Sequence, residues 1–292
     1  MTHPLDHLVL PVTHIDVARE RLGRLGFTVA ADGRHPFGTE NACVFLADRT
    51  YLEPLGVANQ AECDAAVAKG NSFVARDQAF RFRCGDDGFS AIVFGTDDAD
   101  ADKAAYDGAQ LSGGDMVEFS RPIVMPDGTQ ATGAFKLAFA ADLRAPDVFF
   151  FACQRINAFP ADRNALETHA NGVTGISEIA LSAEDPQAFA EFLETASGGV
   201  EPKEAALGLS FELPNGRLSI FSNEGMEAYF DAEPLGTDNG LRARAIVFSV
   251  GDLAVTAAHL AANGITHVSM NNRLLVKPAP GQGAIFAFEE TQ

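Results

Sequence analysis

The sequence predicts an α+β protein of four βαβββ modules arranged as two paired halves. Three observations carry that reading: a strand-helix-strand-strand-strand order that returns four times, helices marked by caps and 3.6-residue periodicity, and short strands set with apolar residues. A sheet that is apolar on one face must bury it, so such modules pair or curl into a shared cup. A chain of 292 residues has room for two pairs.

The first module spans 5–57. It opens on Leu5-Asp6-His7-Leu8-Val9-Leu10, a strand in which alternation puts His7 on the face of Val9 and opposite Leu8 and Leu10. Residues 13–25 follow as a helix, with Ala18, Leu22 and Leu25 at i, i+4 and i+7 and Gly26 as its stop. Strands at 27–30, 42–47 and 51–57 flank a turn-rich loop at 34–40. Residues 58–87 read as a linker with some structure of its own: an Ala-rich helix at 60–69, then polar and aromatic positions alternating around Phe80, Phe82 and Cys84. The second module supplies a strand at 90–94, a helix within 96–109, and strands at 116–125, 131–140 and 148–153. In the third, a strand at 175–181 leads to a helix with Asp185 as N-cap, Pro186 in its first position and Phe189, Phe192, Leu193 and Ala196 along one face. Strands at 200–203, 207–212 and 217–221 complete it. The fourth has strands at 242–248, 265–268, 273–277 and 284–288 around a helix capped by Asp252 and stopped at Gly264. The halves divide as 1–160, holding the functional cup, and 170–292, structural or degenerate.

Forty acidic against 21 basic residues give a formal charge of -19, which repels nucleic-acid phosphates and anionic membranes alike. No segment approaches the roughly 20 apolar residues that span a bilayer. The four cysteines show no C-x-x-C spacing, and no basic region followed by an apolar run opens the chain, so the expected location is cytoplasmic. The expected partner is a small molecule, bound by a monomer or homodimer. With 23 Phe and no Trp, the cup walls are expected to be bulky and apolar.

Two titratable residues are set into apolar strand runs: His7, and Glu53 in Thr50-Tyr51-Leu52-Glu53-Pro54-Leu55, where it shares a face with Tyr51. An imidazole and a carboxylate on one concave surface can hold a metal or move a proton. His35, in the loop, either contacts a ligand over the mouth of the cup or shapes the turn, while Thr39 and Asn41 are expected to bond the loop's own backbone. The run from Asp97 to Asp102 lacks the Gly and distal Glu of an EF-hand and reads as a solvated helix start. No phosphate cradle and no G-x-S-x-G element is present.

A family resemblance rests on Leu5-Asp6-His7-Leu8-Val9, on Arg34-His35-Pro36-Phe37-Gly38-Thr39-Glu40-Asn41, on Tyr51-Leu52-Glu53, and on His169-Ala170-Asn171-Gly172 and Asp185-Pro186 at the third module. In these the chain resembles the vicinal oxygen chelate superfamily, and within it the glyoxalase-like (glyoxalase/bleomycin resistance/dioxygenase) group. The resemblance implies glyoxalase/dioxygenase-like halves, each a cup with a divalent ion (Zn, Mn, Fe, Ni or Co) held by inward residues of the first and last strands of each module. His7 matches the first-strand histidine and Glu53 the fourth-strand carboxylate. The second module departs from the pattern, with Ser90-Ala91-Ile92-Val93 where a histidine or glutamine belongs and no carboxylate in Phe149-Phe150-Phe151-Ala152-Cys153-Gln154. In the second half Glu178 replaces His7, and Ala245 stands at the matching position of the fourth module. What remains is a metal set of His7 and Glu53, completed by waters, substrate and Gln154 or His35, with Glu53 as ligand or base. The implied activity is a metal-dependent lyase or isomerase acting on a small carbonyl or vicinal-oxygen compound. The competing reading is a non-catalytic, sequestering protein of the same fold, which the missing ligands favour.

Overall fold

In the computed structural model, which describes residues 2–124, 130–157, 164–234 and 240–291, the chain forms two sheets. The first module contributes β1 (Leu5–Pro11), α1 (Ile15–Arg24), β2 (Gly33–Arg34), β3 (Thr39–Asn41), β4 (Val44–Phe45) and β5 (Tyr51–Val57). Two helices follow, α2 (Gln60–Ala68) and α3 (Ser72–Cys84), and then the second module: β6 (Ala91–Thr96), α4 (Ala99–Gly108), β7 (Val117–Val124), β8 (Gln130–Ala140) and β9 (Phe149–Arg155). These strands make one sheet in the order β2-β3-β5-β1-β6-β9-β8-β7, with β4 beside β5. The antiparallel seam of β1 on β6 joins the modules, and β1/β5 and β6/β9 run parallel on either side.

The second half repeats the plan with β10 (Val173–Ser182), a 3-10 turn at Pro186–Phe189, α5 (Ala190–Ala196), β11 (Lys203–Ala205), β12 (Gly208–Leu213), β13 (Gly216–Phe221) and α6 (Asn223–Phe230). Its last module is β14 (Arg242–Val250), α7 (Leu253–Ala262), β15 (Val268–Met270), β16 (Arg273–Val276) and β17 (Ile285–Glu290). The strand order is β11-β12-β13-β10-β14-β17-β16-β15. The four-module α+β architecture is thus the one expected. No helix among the described residues is long and apolar enough to cross a membrane.

Period-two alternation sorts the cores. Leu8, Leu10, Ile92, Phe94 and Phe150 of the first sheet join Ile176, Ile179, Leu181, Phe248 and Phe286 of the second in one large cluster shared by the halves. The opposite face of the first sheet carries a separate cluster, in which Val9, Val93, Phe139 and Phe151 meet Phe73 and Val74 of α3. On the second sheet α6 packs likewise, with Met226 and Phe230 against Val247 and Ile285. His169 ties the halves, accepting from Thr28 N–H at 3.0 Å and donating to Phe45 O at 2.9 Å.

The structure departs from sequence expectation at six places, two of them the strands expected at 200–203 and 265–268, which form instead at Lys203–Ala205 and Val268–Met270. Residues 72–84 are helical: Asn71 caps α3 by accepting from Val74 N–H at 3.0 Å, and Phe73, Asp77 and Phe80 bury the i, i+4, i+7 face, whereas Phe82 is 92% exposed, so the aromatic alternation has no packing behind it. Residues 27–30 form no strand, because Phe27 turns into the shared core against Phe248 and ladder pairing starts only at Gly33. The strand expected at 42–47 is confined to Val44 and Phe45, with β3 ahead of it. Helix α6, capped by Ser222, was without a sequence expectation. Met125 of the 116–125 strand and the half boundary at 160 lie outside the described residues. The acidic run serves as a helix start, with Asp98 capping α4 and Asp100 pairing with Lys136, but it is not solvated throughout: Asp102 is buried against His3 at 2.8 Å.

Candidate functional site

The concave face of the first sheet holds a small cavity of about 40 Å³, lined by His7, His35, Tyr51, Glu53, Arg121 and Cys153 among phenylalanines 37, 73, 119, 135 and 151. His7 comes from β1 and Glu53 from β5, parallel neighbours, so a register that pairs His7 with Tyr51 sets the two side chains two rungs apart on one face. Both are buried, with His7 Nε2 3.4 Å from Glu53 Oε2. His35 reaches in from the β2–β3 connection, its Nε2 3.6 Å from Glu53 Oε1. The two imidazoles therefore address different oxygens of one carboxylate.

Each of these groups is held from behind. Asn41 Nδ2 donates to Glu53 Oε1 at 2.5 Å, and His35 Nδ1 shares a 2.9 Å bond with Thr39 Oγ1, so Thr39 and Asn41 serve site side chains and not, as expected, the loop backbone. His7 Nδ1 donates to Asp6 Oδ2 at 2.7 Å, and Asp6 takes two further bonds from Arg155, at 2.5 and 2.8 Å. Consecutive residues of a regular strand point to opposite faces and could not meet in this way. A register shift between Leu5 and His7 against β6 makes the local irregularity that brings Asp6 to its neighbour. Tyr51 stacks on the His7 ring at 4.4 Å between centroids, and Phe151 meets it edge-on at 5.7 Å.

Burial and pairing set the charges. Burial pushes the Glu53 carboxyl up, but the hydrogen bond and charge of His7, the charge of His35 and the Asn41 amide outweigh it and hold it at about 2. His7 is likewise penalised by burial, yet its bonds to Asp6 and Glu53 raise it above the usual imidazole range. His35, with burial dominant and only partly offset by Glu53, falls to about 4 and is neutral near pH 7. Burial pushes Tyr51 and Cys153 up, so both keep their protons.

The loop that delivers His35 depends on Gly38. Its φ of +93° is left-handed, and a Cβ there would stand 2.6 Å from Asn59 O and 2.8 Å from Cys63 N, while its own carbonyl accepts from Ala58 and Asn59 N–H, both at 2.9 Å. Gly38→Ala is expected to cost about 2 kcal/mol or more in chemical denaturation. A change under about 0.5 kcal/mol would show that the loop is not so constrained.

Of the residues singled out in the sequence, His7, His35 and Glu53 are brought together and Gln154 is not. Its side chain accepts from Ala99 N–H at 3.2 Å and donates to Asp97 O at 2.6 Å, at the start of α4. Val93 stands opposite His7 across the β1/β6 seam, and Phe151 pairs with Val93 in turn, so the second module faces the site with apolar groups. In the second half Glu178 is bound by Ser219 Oγ at 2.6 Å and Arg273 Nη2 at 2.8 Å, with Arg273 Nε on Glu289 at 2.7 Å. Asp6 and Arg121 were not singled out, and Asn41 was read only as a residue of the loop. Alternation of Val117, Phe119 and Arg121 along β7 carried the signal for Arg121, while the irregularity that recruits Asp6 leaves no trace in the pattern.

Donor chemistry fits a divalent ion: two imidazole nitrogens and a carboxylate suit Zn, Mn, Fe, Ni or Co. Ligand atoms about 2.1 Å from one ion stand roughly 3 to 3.5 Å apart, close to the 3.4 and 3.6 Å found here. Among the described residues, no group of three or more His, Cys, Asp or Glu side chains stands in a geometry that holds a metal ion as it is.

Comparison with known proteins agrees with this architecture. No curated protein matches the chain in sequence. A hypothetical protein from Staphylococcus aureus superposes with a TM-score of 0.66 at 13% identity, over 98% of this chain and 99% of the other. A variant 4-hydroxymandelate synthase from Streptomyces coelicolor gives 0.59 at 14%, over 99% and 93%. The Mn(II)-bound glyoxalase from Novosphingobium aromaticivorans gives 0.55 at 10%, over 99% and 82%. At such identities the likeness is one of fold alone. The glyoxalase-like domain profile matches residues 5–197, two thirds of the sequence, and the chain belongs to that family.

Proposed function

We propose that the first cup is a divalent-metal site at which a small carbonyl or vicinal-oxygen compound undergoes a lyase or isomerase reaction. The convergence of His7 Nε2 and His35 Nε2 on the two oxygens of Glu53, inside a cavity walled largely by phenylalanines, carries this reading. A bound ion would supply Lewis acidity to the substrate's oxygens. His7, Glu53 and His35 would hold it. Asp6 fixes the His7 proton on Nδ1 and turns Nε2 toward the cavity, as a carboxylate behind a metal-binding histidine does. Glu53, ionised across the physiological range, is able to take a proton from a bound molecule. Tyr51, which stays protonated, can donate a hydrogen bond, and the phenylalanine walls offer apolar surface to a bound molecule.

The second reading, a protein that encloses its ligand without turnover, draws on the second module, which faces the site with Val93 and Phe151 in place of ligands. Elemental analysis after purification with each metal in turn separates the two. The full chain should carry one of Zn, Mn, Fe, Ni or Co near stoichiometry, and His7→Ala and Glu53→Ala should each retain less than about a tenth as much. Equally negligible content in all three would end the metal reading.

A further inference from the structure

Arg121 is a charged group of the first cup with no ion pair among the described residues. It lies on β7 in the inward series Val117, Phe119, Arg121 and lines the cavity. Among the described residues its one hydrogen bond is a long 3.5 Å contact from Nη1 to Asn41 Oδ1, and its Nε is buried with no partner. The cup-facing arginines elsewhere differ: Arg155 binds Asp6, and Arg273 binds both Glu178 and Glu289. A partly buried guanidinium against phenylalanines, with donors unused, is costly until an anion meets it.

We propose that Arg121 anchors a carboxylate of the ligand, so that the compound bound in this cup is a short carboxylate bearing a neighbouring carbonyl or hydroxyl oxygen. The proposal rests on the reading of this cup as a small-molecule site and narrows its ligand class. Position supports it. Asn41 spends its amide N–H on Glu53 and turns its oxygen toward Arg121, so the guanidinium stands one amide away from the His7–Glu53–His35 cluster. A carboxylate on Arg121 therefore leaves the adjacent oxygen-bearing carbon beside that cluster. The guanidinium fork matches a carboxylate's two oxygens. Gly33 makes the space: a Cβ there would strike both Arg121 Nη1 and Asn41 Oδ1. Phe119, edge-on to Phe37 at 5.2 Å and stacked on Phe135 at 5.1 Å, walls the same side with hydrocarbon and leaves Arg121 as the polar contact there.

Pyruvate and its uncharged amide, pyruvamide, provide the test, titrated calorimetrically into the metal-supplemented full chain. The wild type should bind pyruvate at least about tenfold more tightly than pyruvamide, the discrimination a charge-assisted bond supplies. Arg121→Gln should lose that preference while its metal content and melting temperature stay those of the wild type, and Arg121→Lys, which keeps the charge without the fork, should fall between. Arg121→Lys also carries the test if Arg121→Gln fails to fold. Absence of pyruvate binding by the wild type, or full discrimination in the folded variants, overturns the assignment. A wild type that carries no metal yet prefers pyruvate through Arg121 would sink the metal reading and leave this one standing.

Discussion

Held in chelator, the protein should lose about 3 kcal/mol of stability through His35 alone as the pH falls from 6.5 to 4. The folded protein keeps His35 neutral down to about 4, whereas the unfolded chain protonates it from the ordinary value of 6.5. Between those values the unfolded state binds more protons, and stability declines with acid. Glu53 adds a second loss lower down, because its carboxylate at about 2 against the ordinary 4.5 contributes stability present above 4.5 and removed as the pH falls toward 2. His7 acts in the other direction and in another window. Its raised value means a contribution complete below 6.5 that disappears as the pH rises through the folded value. Urea unfolding at intervals from pH 8 to 4, run in parallel on His35→Gln, reads the effect as a difference of slopes. Two parallel curves would show that His35 does not titrate as its burial requires.

The second large effect is expected at a residue that touches no ligand. Asp6→Asn keeps the shape of the side chain but replaces one acceptor oxygen with a donor, and all three of its present partners are donors: His7 Nδ1 and two Arg155 nitrogens. If the new amide N–H faces His7, the imidazole must move its proton to Nε2, which faces Glu53. That tautomer has no lone pair to offer an ion. If the amide faces Arg155 instead, a buried guanidinium donor loses its acceptor. Metal affinity should fall about 10- to 100-fold and stability by about 2 to 4 kcal/mol. Competition against a chelating indicator measures the first and denaturation the second. Affinity within about threefold of the wild type would remove Asp6 from the site.

How far the sequence could reach is visible in these residues. The strand face shared by His7 and Val9, the opposite face of Leu8 and Leu10, and the seat of Glu53 two residues past Tyr51 follow from period two and were legible. So were the Asp185 and Asp252 caps, which accept from Gln187 N–H at 3.1 Å and Ala254 N–H at 2.7 Å. Asp6 was not, because its role comes from a local irregularity of register that no periodicity encodes. Nor were the partners of Asn41 and Thr39, since a turn sequence shows that polar side chains will bond but not to what. Helix α3 was obscured because its buried face includes Asp77, bonded to Arg81 at 2.9 Å, so the apolar periodicity is broken at the position where a helix would declare itself.

The triad of Glu178, Arg273 and Glu289 has a bearing on how the two halves answer their surroundings. In the second cup the positive centre between the carboxylates is a guanidinium, part of the chain and unable to diffuse away. A free ion that binds only the folded protein stabilises it in proportion to the logarithm of its concentration, and a starved cell withdraws that support. Arg273 contributes no such dependence. One half of this molecule has its cation written into the sequence, and on the reading proposed for the first cup only the other would gain or lose from the supply of metal around it.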